Sequence, residues 1–230
     1  TTSGNIQATG NITTSGNITG NITGNITGLI NGLAVGKGNN GIVTNTAIGV
    51  EALTNNTNGY SNVANGYHAL HKNTTGHCNT ATGSQALFFN TTGHSNVANG
   101  YLALHINTTG YHNTATGYTA LKNTTGHFNT ATGSQALYTN TTGHSNVANG
   151  YQALYTNTTG HSNSATGRGA LFANTTGNYN TATGRQALYT NTTGHSNTAT
   201  GQQALFSNTT GHSNVATGQS ALYYNTTGYY

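Results

Sequence analysis

An Ala-x-Gly step recurs at Ala47, Ala64, Ala81, Ala98, Ala115, Ala131, Ala148, Ala165, Ala182, Ala199 and Ala216, every 17 residues but for one interval of 16. An Ala-Leu pair keeps the same beat from Leu53 to Leu222, and the short interval falls where "ALKNTTG" lacks a residue after Leu121. The unit reads N-x-A-x-G-x-x-A-L-x-x-N-T-T-G-x-x. A period this short excludes the common helical repeats of about 33 to 47 residues. It suits one coil of a β-solenoid, with two short strands and two turns. "NTATG" and "QALYT" both read as alternating, half-buried strands. "NTTGH" reads as a turn. The expected fold class is therefore all-β, a β-solenoid or β-roll of about eleven 17-residue coils. At a coil spacing of ~4.8 Å it would make a rod of roughly 50 Å.

The repeat also predicts an inner face. Ala at the third position, Gly at the fifth and Leu at the ninth share one parity. Such a core is thin, so stability must come from stacking between coils and between chains. The Asn that opens each unit, from Asn45, Asn62 and Asn79 to Asn214, should form a ladder on itself. Phe88, Tyr138, Tyr155, Phe172, Tyr189, Phe206 and Tyr223 should form an aromatic column.

The first part of the chain differs. Residues 16–28 read "GNITGNITGNITG", a period of four. In an extended strand Ile and Gly would face one way and Asn and Thr the other. Such a strand asks for partners from other chains. The expected organisation is a shaft or inter-subunit strand over 1–32, opening coils over 33–59 and the regular solenoid over 60–230. The chain begins and ends within its repeats, so a processed chain or a window onto a longer one is expected.

Composition narrows the function classes. Charged residues make up 3% of the chain, against roughly 25% in ordinary soluble domains. Frequent Gly argues against long helices. The formal charge of +4 comes from scattered Lys37, Lys72, Lys122, Arg168 and Arg185 against Glu51. No nucleic-acid patch is expected from that scatter. No apolar run approaches the ~20 residues of a spanning helix, so no membrane insertion is expected. Cys78 is the single cysteine, which leaves no internal disulfide.

Asn-x-Thr acceptor signals stand once per coil, at Asn73, Asn90, Asn107, Asn123, Asn140, Asn157, Asn174, Asn191, Asn208 and Asn225. Others stand at Asn11, Asn17, Asn21, Asn25 and Asn55. Two readings are open. Asn-Thr-Thr-Gly is good turn chemistry copied by duplication, or each Asn carries a glycan pointing outward. The second gives a rod poor in charge a solubilising coat, and it is the expectation adopted. Covalent glycans are then expected, and no cofactor.

His77, His94, His127, His144, His161, His195 and His212 would stack as a column, with their rings held parallel rather than converging on an ion. No metal site is expected. Glu51 is the sole carboxylate side chain, so acid–base pairs and Ser-His-Asp arrangements lack raw material, and no enzyme is expected. Thr80/Thr82, Thr114/Thr116, Thr130/Thr132, Thr181/Thr183 and Thr198/Thr200 would lie on one face, as in ice-binding solenoids. Val63, Val97 and Val147 interrupt that array.

"LAVGKG" and "NTAIGVEAL" resemble the head repeats of trimeric autotransporter adhesins and related stretches of phage tail fibres. The resemblance is good at Asn45–Leu53 and partial from 60 to 230. It implies a left-handed parallel β-roll, three parallel chains and a surface fibre that adheres, with no catalytic residues. The "GNIT" run also resembles tail-fibre shafts, and the sequon-dense repeats resemble glycan-coated extracellular fibrils. The expectation is a structural subunit of an extracellular, N-glycosylated fibre, self-assembled as a homotrimer or filament on a cell or virion surface. The alternatives are a tail-fibre or adhesin rod that binds a receptor, and an ice binder.

Overall fold

The computed structural model describes residues 28–30, 33–38, 42 and 44–229. Its described elements are all strands, gathered in one sheet that follows chain order. Strand β1 (Gly28–Ile30) pairs antiparallel with β2 (Leu33–Gly36), and β2 pairs antiparallel with β3 (Thr46–Ile48). From β3 onward the ladder is parallel and in register to β13 (Val215–Thr217), one three-residue strand per coil. Alanine stacks on alanine throughout, as at Ala64, Ala81 and Ala98. The chain is thus a parallel β-solenoid of 17-residue coils. The antiparallel β1–β2 pair covers the outer edge of β3, which would otherwise offer unpaired backbone groups.

The coil from Asn79 to Ser95 shows how the sequence closes. Ala81 points inward between exposed-side Thr80 and Thr82. Gly83 then turns the chain at φ 126°, a conformation that favours glycine. Gln85 and Leu87 take left-handed backbone at φ 56° and 52°, and Ser95 does so at 55°. Left-handed backbone disfavours a non-glycine residue by roughly 1 kcal/mol or more. Bonds to adjacent coils offset it. The Gln85 N–H donates to the Tyr67 carbonyl at 2.8 Å, Leu87 to Ala103 at 3.0 Å and Ser95 to His77 at 3.0 Å.

These left-handed residues correct one expectation. "QALYT" is not a strand. Ala86 and Leu87 are consecutive and both fully buried. In a strand, successive side chains point to opposite faces. Left-handed turns let both enter the core, so each coil contributes two alanines and a leucine. The fifth-position Gly is half-buried rather than part of the inner face. The "GNIT" run before residue 28 and its expected inter-chain strands lie outside the described residues.

Candidate functional site

The Asn-Thr-Thr-Gly turn joins two ladders of buried amides. In the first, Asn79 Nδ2 donates to Asn62 Oδ1 at 3.2 Å and to the Gly93 carbonyl at 2.8 Å. The Asn79 backbone N–H also donates to Asn62 Oδ1, at 3.0 Å. This is the ladder expected from Asn45 to Asn214. In the second, Asn90 Nδ2 donates to Asn73 Oδ1 at 2.7 Å and to the same Gly93 carbonyl at 2.9 Å. One glycine carbonyl therefore serves both ladders. A Cβ on Gly93 would run into Asn90 Oδ1 and the Gly110 carbonyl. Glycine stands here for close approach rather than for a left-handed φ. Three successive N–H groups, of Thr91, Thr92 and Gly93, converge on the Thr108 carbonyl at 2.9–3.1 Å. The Thr91 hydroxyl joins them at 3.0 Å.

This geometry corrects the outward sugar column. Asn73, Asn90, Asn107, Asn140, Asn157, Asn174, Asn191 and Asn208 are all 0% exposed. A glycan is attached through Nδ2, and in these residues Nδ2 is inside the coil and donating. Their side chains are structural rungs. The fourth position of the motif explains why: glycine leaves room for the amide to turn inward.

The remaining sequons lie elsewhere. Asn123 is half-buried, because the missing residue moves it one place along the coil, and Thr124 enters the ladder at 1% exposure. Asn140 Nδ2 donates to Thr124 Oγ1 at 3.2 Å. Thr124 leaves Asn107 Oδ1 buried without a partner. Asn55 occupies the same coil position as Asn123 and is exposed, its Nδ2 donating to the His71 carbonyl at 2.8 Å. Asn225 is half-buried at the last described coil, and its Nδ2 donates to Asn208 Oδ1 at 3.1 Å. Asn11, Asn17, Asn21 and Asn25 fall outside the described residues.

The outer faces carry regular columns. Tyr60, His77, His94, Tyr111, His127, His144 and His161 stack with centroids 4.8–5.4 Å apart. Asn178 interrupts them by accepting the His161 N–H at 2.8 Å. The column resumes with His195, His212 and Tyr229. Burial, with neighbouring His77 and His112, pushes the His94 pKa below its ordinary value. Burial also lowers that of His105; the bond from its Nδ1 to the Gln85 carbonyl opposes this, and Lys122 adds to it. Tyr138, Tyr155, Phe172, Tyr189, Phe206 and Tyr223 form a second stack at 4.9–5.2 Å.

The strand face presents two outward rows. One holds Thr80, Val97, Thr114, Thr130 and Val147, and the other Thr82, Asn99, Thr116, Thr132 and Asn149, all in register. Val97 and Val147 stand in line with the threonines, and share their branched shape.

Sequence reasoning missed one cluster. Glu51, His68 and His71 bring three ligand-type atoms within 4.8 Å of one another. The available signal was that Glu51 and His68 are 17 residues apart, one coil position on adjacent coils.

Comparison with protein-family models, curated proteins and solved structures finds no match.

Proposed function

We propose that the chain is a structural rod, a subunit of an extracellular fibre that builds length by stacking coils and catalyses nothing. One observation carries this reading: the regular 17-residue coils exchange the same bonds with their two neighbours, so a further coil would add contacts of the same kind. The resemblance of Asn45–Leu53 to adhesin heads and tail fibres favours a cell or virion surface. Tyr67, Tyr101, Tyr118 and Tyr151 share one coil position and are 45–55% exposed. Val63, Val97 and Val147, on the strands of three of those coils, are also exposed. These exposed apolar side chains, interrupted by Ser84 and Ser134, favour side-by-side association as a trimer or filament. Glycan attachment is proposed at Asn55 and Asn123, whose side chains reach the surface, and not on the ladders. Electron microscopy and sedimentation of the purified chain test the reading. Assemblies of constant width are expected. A monodisperse monomer at every concentration would overturn self-assembly.

The Thr face favours a second function, ice binding. Its strands expose the first and third residues and bury the middle alanine. Rows of hydroxyl and methyl groups at the ~4.8 Å coil spacing, interrupted by Val97, Val147, Asn99 and Asn149, offer water a repeating template. Ice-crystal shaping by the purified chain, abolished by Thr116→Lys, would support it. Crystals that grow unshaped would remove it.

A further inference from the structure

We propose that Glu51, His68 and His71 form a binding site for one divalent transition-metal ion of the zinc, cobalt or nickel type. Glu51 Oε2 lies 3.0 Å from His68 Nε2 and 3.5 Å from His71 Nδ1. An ion bonded at about 2.0–2.1 Å to imidazole and carboxylate ligands in a tetrahedron separates its donors by roughly 3.3 Å. These two separations bracket that value, and His68 Nε2 and His71 Nδ1 lie within 4.8 Å of each other. Two imidazoles and one carboxylate make a donor set suited to these metals. Three protein ligands leave a fourth position for water.

The coil supplies the frame. Glu51 and His68 hold the same left-handed coil position, at φ 55° and 56°. His71 follows His68 by three residues. The rings are braced: His68 stacks on Tyr67 at 3.8 Å, and His71 on Phe88 at 5.0 Å. Asn55 clamps the His71 carbonyl through its backbone N–H at 3.2 Å and its Nδ2 at 2.8 Å. The His71 and His68 side chains are 12% and 18% exposed, while Glu51 is 52% exposed, so the site opens to solvent on the carboxylate side. His71 Nδ1 also lies 3.2 Å from the Glu51 carbonyl. Without an ion it donates a proton there, and metal binding would release that proton.

The repeat sharpens the inference. At the Glu51/His68 position other coils carry Gln85, Gln135, Gln152, Gln186 and Gln203, which are poor metal ligands. The chain's sole carboxylate side chain therefore coincides with two histidines where the repeat ordinarily places glutamine or an aromatic ring. The same comparison supplies variants that keep the fold. Glu51→Gln and His68→Gln restore the commonest residue of that position, and His71→Phe copies Phe88.

The test is titration of the full chain with Co²⁺, followed by absorption, and with Zn²⁺, followed by calorimetry. Apo melting curves check each variant's fold. One saturable site with the intense visible bands of four-coordinate Co²⁺ is expected. Glu51→Gln and His68→Gln should each weaken it tenfold or more, while His144→Tyr, in the distant column, leaves it unchanged. No saturable binding would overturn the proposal. So would an affinity that survives both Gln substitutions, since the ion would then sit on the other histidines.

Discussion

Asn90 Nδ2 donates to Asn73 Oδ1 in the preceding coil at 2.7 Å, and both side chains are fully buried. Asn90 Oδ1 in turn accepts from Asn107 Nδ2 at 2.9 Å. A rung thus has a neighbour on each side. Asn90→Ala removes both contacts and strands the Asn73 oxygen. A buried unsatisfied group costs about 1–3 kcal/mol. Urea unfolding should show a loss of at least that size. A variant as stable as the parent would mean the ladder contributes nothing.

Thr124 is the weak rung. It leaves Asn107 Oδ1 without a donor. Thr124→Asn places an amide where the other coils carry one, and should raise stability by about 1–3 kcal/mol. Thermal melting compares the two chains. A lower melting temperature would show that the 16-residue coil cannot accommodate the larger side chain.

Gly93→Ala should destabilise the chain, because the new methyl meets Asn90 Oδ1 and the Gly110 carbonyl. Overpacking of this kind costs about 1–3 kcal/mol. Since the backbone there is not left-handed, no φ strain adds to the loss, and the lower chain entropy of alanine offsets part of it. Chemical denaturation of the variant gives its size, and an unchanged midpoint would contradict the crowding.

Acid should weaken the fold. Burial holds His94 and His105 below the ordinary value of 6.5. Between the lowered folded value and 6.5, the unfolded chain binds more protons than the folded one. This contribution to stability is therefore complete above 6.5 and is lost as pH falls through the folded values. Melting at about pH 5 should occur below melting at about pH 7.5. His94→Tyr, which copies Tyr60 and Tyr111, should reduce the difference. Equal melting temperatures in the parent at both pH values would count against it.

Much of this fold was legible in the sequence. The Ala-x-Gly beat set the coil length, and the Asn45-to-Asn214 ladder and both ring columns followed from one residue stacking on itself. Three things were hidden. Asn-Thr-Thr-Gly was read as an outward sugar signal, although asparagine and glycine recur there while the residue just before varies freely. That contrast is the mark of a packed position. The left-handed Gln85 and Leu87 left no trace at all. Their backbone is disfavoured locally and is held by coils 17 residues away, which no local propensity registers. The Glu51 cluster was hidden for a similar reason: its two halves meet only when coils stack.

The 16-residue coil shows how such a gene can grow and shrink. Recombination between near-identical repeats removes or adds whole turns, and nearest-neighbour bonding makes each new length as sound as the last. A misaligned exchange that drops one codon ought to derail everything after it. Here Thr124 takes the rung position in place of the shifted Asn123, the register recovers by the next turn, and the disturbance stays near that coil, where Asn107 Oδ1 is left without a partner. Lengths can drift without a change of architecture.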